Sequence, residues 1–315
     1  MPPTPSRPPA SSTASWRQGR EGSSLFIVDL FRRTGPVVSF EIFPPKADVP
    51  VEKVYDTIEA IADLEPGYVS VTYGAGGSSR DRTVEIASRL HRVYGLNAVA
   101  HLTGMSHDVA ELDAICTSLL DRGVTNILAL RGDRPLEGPD VVKGYPYASE
   151  LIAHIRSAFP GRFCIAAAAY PEGHVECADG EEDLDHLKEK VEAGADLLIS
   201  QLFFDNERFH RFRDRLAGRA IDVPLVAGVF PVLNVRQVQR IVSLCGASLP
   251  PKFTRMMARY ANHPEALAEA GVAYATEQIV DLLASGVDGI HLYTMNRPET
   301  TRRIMANIGR LRSVR

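Results

Sequence analysis

Residues 37–46 run Val37-Val38-Ser39-Phe40-Glu41-Ile42-Phe43-Pro44-Pro45-Lys46, a short apolar stretch with one carboxylate inside it and two prolines near its end. Apolar, β-branched runs of this length read as buried strands. Proline donates no backbone hydrogen bond, so the ladder stops at about Phe43. Side chains alternate along a strand. Val37, Ser39, Glu41 and Phe43 therefore share one face, and Val38, Phe40 and Ile42 share a wholly apolar one. Glu41 stands on the less apolar face, close to the strand's C-terminal end. Glu is rarely buried unpaired, so this carboxylate is either a paired structural acid or a catalytic one.

Outward from this strand one rhythm repeats. Strand-like runs fall at 37–43, 68–73, 97–102, 126–131, 163–169, 196–201, 224–230 and 288–293. Helical patterns lie between them, at Val51–Leu64, Arg82–Tyr94, Val109–Arg122, Ala148–Phe159, Asp183–Ala193 and Glu207–Leu216. The seventh gap is longer and holds Val235–Leu244, Lys252–Tyr260 and Pro264–Ser285; Pro298–Leu311 follows the eighth run. Eight strand–helix units in roughly 290 residues are the pattern of a single (β/α)₈ TIM barrel. A doubly wound open sheet is the competitor, but eight regular units without a mid-chain break favour closure. One barrel domain is expected over 23–315, led in by a short helix over Ser24–Arg33. Residues 1–22, rich in Pro, Ser and Arg, cannot bury enough surface to offset their ordering entropy and read as a disordered tail.

The 315 residues are 45% hydrophobic and 23% charged, an ordinary globular composition. A net charge of -4 and a pI near 6.2 give no electrostatic case for nucleic acid. Cys116, Cys164, Cys177 and Cys245 are scattered without a C-x-x-C pair. They read as reduced thiols of a cytoplasmic protein. No apolar run approaches the roughly 20 residues a membrane span needs, and nothing near the start has a signal-peptide h-region.

In a barrel of this kind function sits at the C-terminal ends of the strands. Seven of the eight strand ends deliver polar residues. They are Glu41, Thr72-Tyr73 with the glycine-rich 74–79, His101-Leu102-Thr103, Arg131-Gly132-Asp133, Tyr170 to His174, Ser200-Gln201, and Tyr293 to Arg297. Singly, each has a plainer reading. The loop 74–79 is a tight turn or a backbone nest for a polar ligand. Arg131-Gly132-Asp133 alone reads more simply as a salt-bridged turn. His101 and His107 do not have metal-ligand spacing, and no metal site is expected. His174-Val175-Glu176 has the H-x-E of zinc deaminases without the P-C-x-x-C that completes it. Asp183, His186 and Lys190 form a second stripe on their helix, by default a solvated charged face. No G-x-S-x-G and no P-loop occurs. Together the strand ends suit acid–base work on a bound organic ligand or cofactor.

The segments SFEIFPPK (39–46), VSVTYGAGGSSRDRT (69–83), AHLTG (100–104), ILALRGDRP (127–135), YASELI (147–152), AAYPEGH (168–174), DLDHLKEKVEAGADLLISQLFFD (183–205) and HLYTMNRPE (291–299) follow one another from the first strand to the eighth. In this order they resemble methylenetetrahydrofolate reductases, flavin-dependent barrel enzymes of one-carbon metabolism. The resemblance covers everything except the N-terminal tail.

The resemblance implies FAD in the barrel mouth and NADH or NADPH as the donor that reduces it and leaves. It implies 5,10-methylenetetrahydrofolate as the substrate that then accepts the hydride. It gives Glu41 the role of general acid toward folate N10, opening the five-membered ring to an iminium. Carboxyl groups among apolar neighbours tend to keep their proton, which fits that role. Asp133 is implied as the acid beside flavin and pterin. The implied flavin contacts are Tyr73, Ala75, His101, Leu102, Arg131, Gly132, Asp133, Ala148, Tyr170, His174, Asp183, His186 and Lys190. Thr72, Gln201, Gln237 and Arg297 join Glu41 and Asp133 as implied substrate contacts. Ile241 stands where some relatives place a substrate-contacting phenylalanine, and His186 where some have Asn. A homo-oligomer is the expected assembly. No regulatory domain, and so no feedback control by S-adenosylmethionine, is expected.

Overall fold

The structure, a computed structural model, describes residues 25–32, 35–45, 48–73, 80–132 and 143–314. The expected tail over 1–22, the glycine-rich loop with Ala75, and the segment 133–142 with Asp133 lie outside the described residues. Eight parallel strands close in chain order: β1 (Val37–Ile42), β2 (Val69–Val71), β3 (Ala98–Thr103), β4 (Asn126–Leu130), β5 (Cys164–Ala169), β6 (Leu197–Ser200), β7 (Leu225–Val229) and β8 (Gly289–Tyr293). β1 pairs with β8 from Val37↔Gly289 to Glu41↔Tyr293, which excludes the open sheet.

The helices among the described residues are α1 (Glu52–Ala62), α2 (Arg80–Arg92), α3 (Val109–Asp121), α4 (Ala148–Ala158), α5 (Gly180–Glu192), α6 (Asn206–Gly218), α7 (Val235–Cys245), α8 (Pro251–Tyr260), α9 (Pro264–Ala284) and α10 (Pro298–Ile308). Their starts follow ordinary capping chemistry. Asp108 accepts from the N–H of Glu111, whose side chain reaches back to the Asp108 N–H, a reciprocal cap for α3. Asp179, Asp205 and Asn234 cap α5, α6 and α7 in the simpler way.

Alternation sorts the apolar residues into two cores. Val38, Phe40 and Ile42 pack outward with helix residues such as Ile58, Ile61 and Leu90. Val37 packs inward with Val99, Leu128, Ala166, Leu197 and Val226. This is the parity expected from the strand. The leading segment is shorter than the helix expected over Ser24–Arg33: it is a 3₁₀ helix, Ile27–Arg32. So short a piece gains little from α-helical propagation. Gly35 at φ 108° and Pro36 then turn the chain into β1. Ile27 and Leu30 plug the inner core from below. Asn126 ties the plug in place, accepting from the Ile27 N–H at 2.9 Å and donating to the Leu25 and Ala98 carbonyls at 3.2 and 3.3 Å.

The long seventh connection builds a third apolar cluster over the ends of β6 and β7. Leu202, Phe204, Phe230, Val232, Val238 and Phe253 meet there, with the Phe204 and Phe253 rings stacked at 4.4 Å. Gly271 lets α9 approach this cluster. A Cβ on it would stand 1.7 Å from the Val232 carbonyl oxygen. In an unencumbered helix Gly→Ala stabilises by about 1 kcal/mol. Here the backbone clash outweighs that gain, and Gly271→Ala should destabilise the fold by about 1–3 kcal/mol in urea unfolding. A stabilised variant would contradict the packing described.

Candidate active site

Glu41 is the last inward-facing residue of β1. The segment leaving β8 fixes its backbone. Thr294 donates to the Glu41 carbonyl from its hydroxyl at 2.6 Å and from its N–H at 3.2 Å. Asn296 then clamps Phe43, accepting from its N–H at 3.0 Å and donating to its carbonyl at 2.8 Å. Where the double proline ends the ladder, this side-chain amide replaces a strand partner. Met295 and Asn296 both take left-handed backbone (φ 52°) to make the turn.

The Glu41 side chain is buried. Its Oε2 lies 3.5 Å from Nε2 of His101 on β3 and 3.4 Å from Nε2 of His291 on β8. The setting therefore differs from the apolar surroundings expected: two imidazoles face the carboxylate. Burial pushes His101 down to about 4, opposed by Glu41 and reinforced by His291. His101 is thus neutral near pH 7, and its approach to Glu41 is not an ion pair. His291 is fully buried. Its Nδ1 is 2.8 Å from Ser39 Oγ, and its Nε2 is 3.3 Å from Ser70 Oγ. Tyr68 stacks on the ring at 5.9 Å and Tyr293 meets it edge-on at 5.5 Å. Burial raises both phenols.

A second group forms across the ends of β4 and β5 and the inner side of α5. The Arg131 guanidinium holds Glu176 in a two-pronged ion pair, at 2.6 and 2.9 Å. Gly132 follows at φ 93°, and a Cβ there would come within 3.2 Å of Thr103 Cβ. Tyr170 meets His174 edge-on at 4.7 Å. His174 accepts from the Glu176 N–H at 3.1 Å, and burial, then the Arg131 charge, lowers its imidazole. Lys190 turns inward, donating to the Ala168 carbonyl at 3.0 Å and lying 5.4 Å over the Tyr170 ring. Burial lowers its ammonium to about 8, while Asp183 pulls the other way. Around Lys190, then, the second stripe of α5 is not a solvated face.

The remaining candidates occupy other parts of the rim. Tyr73 bonds through its hydroxyl to His107 Nε2. The Thr72 carbonyl accepts from the Thr83 hydroxyl at 3.0 Å. Ala148 is buried at the start of α4, beside Tyr147, whose ring lies 6.4 Å from that of His186. Leu102 faces the outer core, so only its backbone borders the mouth. Gln201 and Gln237 accept from the nearby N–H groups of Leu202 and Leu233 at 2.9 and 3.1 Å. Arg297 is exposed at the start of α10. Ile241 lies against the apolar cluster above β6 and β7. Two buried polar atoms at the end of β3, His101 Nε2 and Thr103 Oγ1, have no hydrogen-bond partner among the described residues. Among those residues no group of three or more His, Cys, Asp or Glu is placed to hold a metal ion, and no helix is long and apolar enough to cross a membrane.

Sequence reasoning had not singled out His291 or Ser70. For both the signal was available in strand parity, since each occupies an inward position beside an expected site residue. Tyr293 was noted only as a polar strand end and Glu176 only in a set-aside H-x-E pattern, and nothing in the sequence pointed from Arg131 to Glu176.

A closed parallel barrel with a buried acid and imidazoles at its C-terminal rim has the layout of a barrel enzyme built for acid–base chemistry. Residues 27–309 match the methylenetetrahydrofolate reductase family, and the chain belongs to that family of oxidoreductases. It is 38% identical over 274 residues to 5,10-methylenetetrahydrofolate reductase of Pectobacterium carotovorum, covering 86% of this chain and 90% of that one. It is 36% identical over 272 residues to the Escherichia coli enzyme of the same name, with the same coverage. It is also 36% identical over 284 residues to methylenetetrahydrofolate reductase (NADH) 1 of Arabidopsis thaliana, of which it spans 48%. The chain thus spans about half the length of its plant relatives. A solved structure of an uncharacterised Clostridium thermocellum protein that binds two copies of 5-methyl-5,6,7,8-tetrahydrofolic acid shares the fold. Its TM-score is 0.64 at 14% identity, over 91% of this chain and 99% of that one.

The neutral His101 has a consequence for stability. Its folded value, about 4, lies below the ordinary 6.5. Between these values the unfolded chain binds a proton that the folded chain refuses. Stability therefore falls as pH drops from 6.5 through about 4, and this contribution levels off below. The part due to this one imidazole is on the order of 3 kcal/mol. His101→Asn should flatten that part of the profile in urea unfolding at stepped pH. An unchanged slope would show that His101 charges freely in the folded protein.

Proposed function

We propose that this protein reduces 5,10-methylenetetrahydrofolate to 5-methyltetrahydrofolate in the cytoplasm, with bound FAD as hydride carrier and NADH or NADPH as donor, in ping-pong order. The product is the methyl source for methionine synthesis. The observation that supports this most is Glu41: a buried carboxyl at the catalytic end of β1, with its backbone fixed by Thr294 and two imidazoles on Oε2.

The residues at the mouth suit an anionic, aromatic cofactor. Arg131 and Lys190 supply positive charge and donors, His174 a neutral imidazole, Tyr170 an aromatic surface, and Gly132 a close backbone approach. Thr103 Oγ1, buried at the end of β3 without a hydrogen-bond partner among the described residues, is an atom that a polar ligand would satisfy. FAD bound there supplies two-electron hydride chemistry. Tyr73, Ala75, His101, Leu102, Gly132, Ala148, Asp183 and His186 would complete its surroundings, and Thr72, Gln201, Gln237 and Arg297 would hold the substrates that exchange places on it.

Glu41 gives its proton to folate N10. The N10–methylene bond then breaks, and the cationic carbon left on N5 accepts the hydride. Asp133 stabilises that cation by charge. One hydride from the nicotinamide and one proton from solvent balance the reaction. A related folate barrel working without FAD is the alternative reading. Purified protein that lacks a flavin absorbance band, and gains no activity when FAD is added, would favour it.

Glu41→Gln should leave flavin reduction by the nicotinamide intact and lower the folate half-reaction by at least about 10²-fold, the lower range for loss of a general acid. Equal loss of both half-reactions would make Glu41 a structural acid. Asp133→Asn should slow the folate half-reaction selectively, and an unchanged rate would remove Asp133 from the scheme. Folate binding by the FAD-supplied parent protein with neither half-reaction detectable would favour a binding subunit over an enzyme.

A further inference from the structure

One buried group beside Glu41 has no assigned part in the chemistry. His291 lies one layer below the rim, opposite Ser39 in the β1–β8 register. Its Nδ1 is 2.8 Å from Ser39 Oγ, and the same Oγ is 3.2 Å from the Ile290 carbonyl. A carbonyl only accepts, so the Ser39 hydroxyl donates to Ile290. Ser39 Oγ is then left to accept, and His291 Nδ1 must carry the proton that it accepts. A neutral imidazole has one N–H and one lone pair. The lone pair is therefore on Nε2, and Nε2 points at Glu41 Oε2, 3.4 Å away.

We propose that His291 is a positioning residue for Glu41, held by Ser39 in the tautomer whose Nε2 lone pair faces the carboxyl. In this arrangement an ionised Glu41 would set a negative oxygen against a lone pair, whereas protonated Glu41 donates to it. The column thus favours the proton-loaded acid before folate arrives. The inference rests on Glu41 being the acid.

The other groups that face this pair are few. On β3, His101 Nε2 lies 3.5 Å from the same Oε2 and is neutral because it is buried. Ahead of β2, Tyr68 stacks on the His291 ring; on β2, Ser70 Oγ reaches Nε2 at 3.3 Å. On β8, Tyr293 meets the ring edge, with its hydroxyl donating to the Ser200 carbonyl at 3.2 Å. From β5, Cys164 faces Tyr68. Burial holds both phenols and the Cys164 thiol neutral. No lysine or arginine contacts Glu41 or His291 among the described residues. With no cation in contact, the proton position that Ser39 sets on His291 bears directly on which form of Glu41 is favoured.

The test is Ser39→Ala, with His291→Gln as a second variant. Without the serine, the imidazole can carry its proton on Nε2 and donate to ionised Glu41; the glutamine amide can do the same. In FAD-supplied enzyme, the pH at which the folate half-reaction is lost on the alkaline side should move down by about one unit, a tenfold change in proton affinity. Flavin reduction by NADH or NADPH should be unchanged. Independently of turnover, ¹⁵N-histidine NMR should show His291, assigned by its loss in His291→Gln, protonated on Nδ1 in the parent protein and on Nε2 in Ser39→Ala. Unmoved pH profiles in both variants, a uniform loss at all pH values, or an Nε2–H signal in the parent would overturn the proposal. The parallel Glu41→Gln variant separates the two ideas. If it reduces folate normally, the reading of Glu41 fails; if it is inactive while the Ser39 and His291 profiles stay put, only the role of His291 fails.

Discussion

In a closed barrel every strand residue points either into the helices or into the interior, and no edge remains where a polar group can escape to water. A carboxylate on an inner face near the C-terminal rim must then be paired, protonated or solvated from the mouth. Glu41 is under this constraint, and its surroundings answer it. Two imidazoles face one oxygen, Thr294 and Asn296 fix the backbone on either side of the strand end, and Ser39 on β1 bonds Nδ1 of the histidine beneath. The inner core lower in the barrel is apolar and is plugged by Ile27 and Leu30. Polarity thus rises along the axis toward the mouth.

The two halves of the rim differ in character. The β4–β5–α5 side is polar and charged, with Arg131, Glu176, His174, Asp183 and Lys190 close together. The β6–β7 side is apolar, built by the added helices α7 and α8 over Phe204, Phe230 and Phe253. A mouth divided this way can hold a charged, extended cofactor against one wall and present a ring face toward the other. The long seventh connection creates the second wall. It is also the part of the chain that departs most from a plain strand–helix repeat.

Much of this was legible in the residues alone. The strand order follows from eight apolar runs, each found within two residues of its expected place. The inward orientation of Glu41 follows from parity. Closure follows from regularity and is realised in the β1–β8 pairing. Less legible was what stands next to Glu41. The apolar neighbours of β1 suggested an apolar pocket, yet the groups that reach the carboxylate come from β3 and β8, 60 and 250 positions away in sequence. Such contacts depend on barrel stagger and on which rotamer a histidine adopts, and one strand's pattern encodes neither. The Arg131–Glu176 pair was hidden for a related reason: it joins two loops whose meeting depends on the backbone turn at Gly132. The leading helix differed because a piece of six residues gains little from α-helical propagation.

The central claim is that the mouth above Glu41 passes a hydride to a methylene-bearing folate. The most direct measurement is anaerobic. Purified protein supplied with FAD is reduced with a stoichiometric amount of NADH or NADPH, and 5,10-methylenetetrahydrofolate is then added alone. The account predicts that the oxidised flavin band returns in step with the formation of 5-methyltetrahydrofolate, one equivalent for each flavin. A flavin that stays bleached, or one that reoxidises without forming the methyl product, would contradict it.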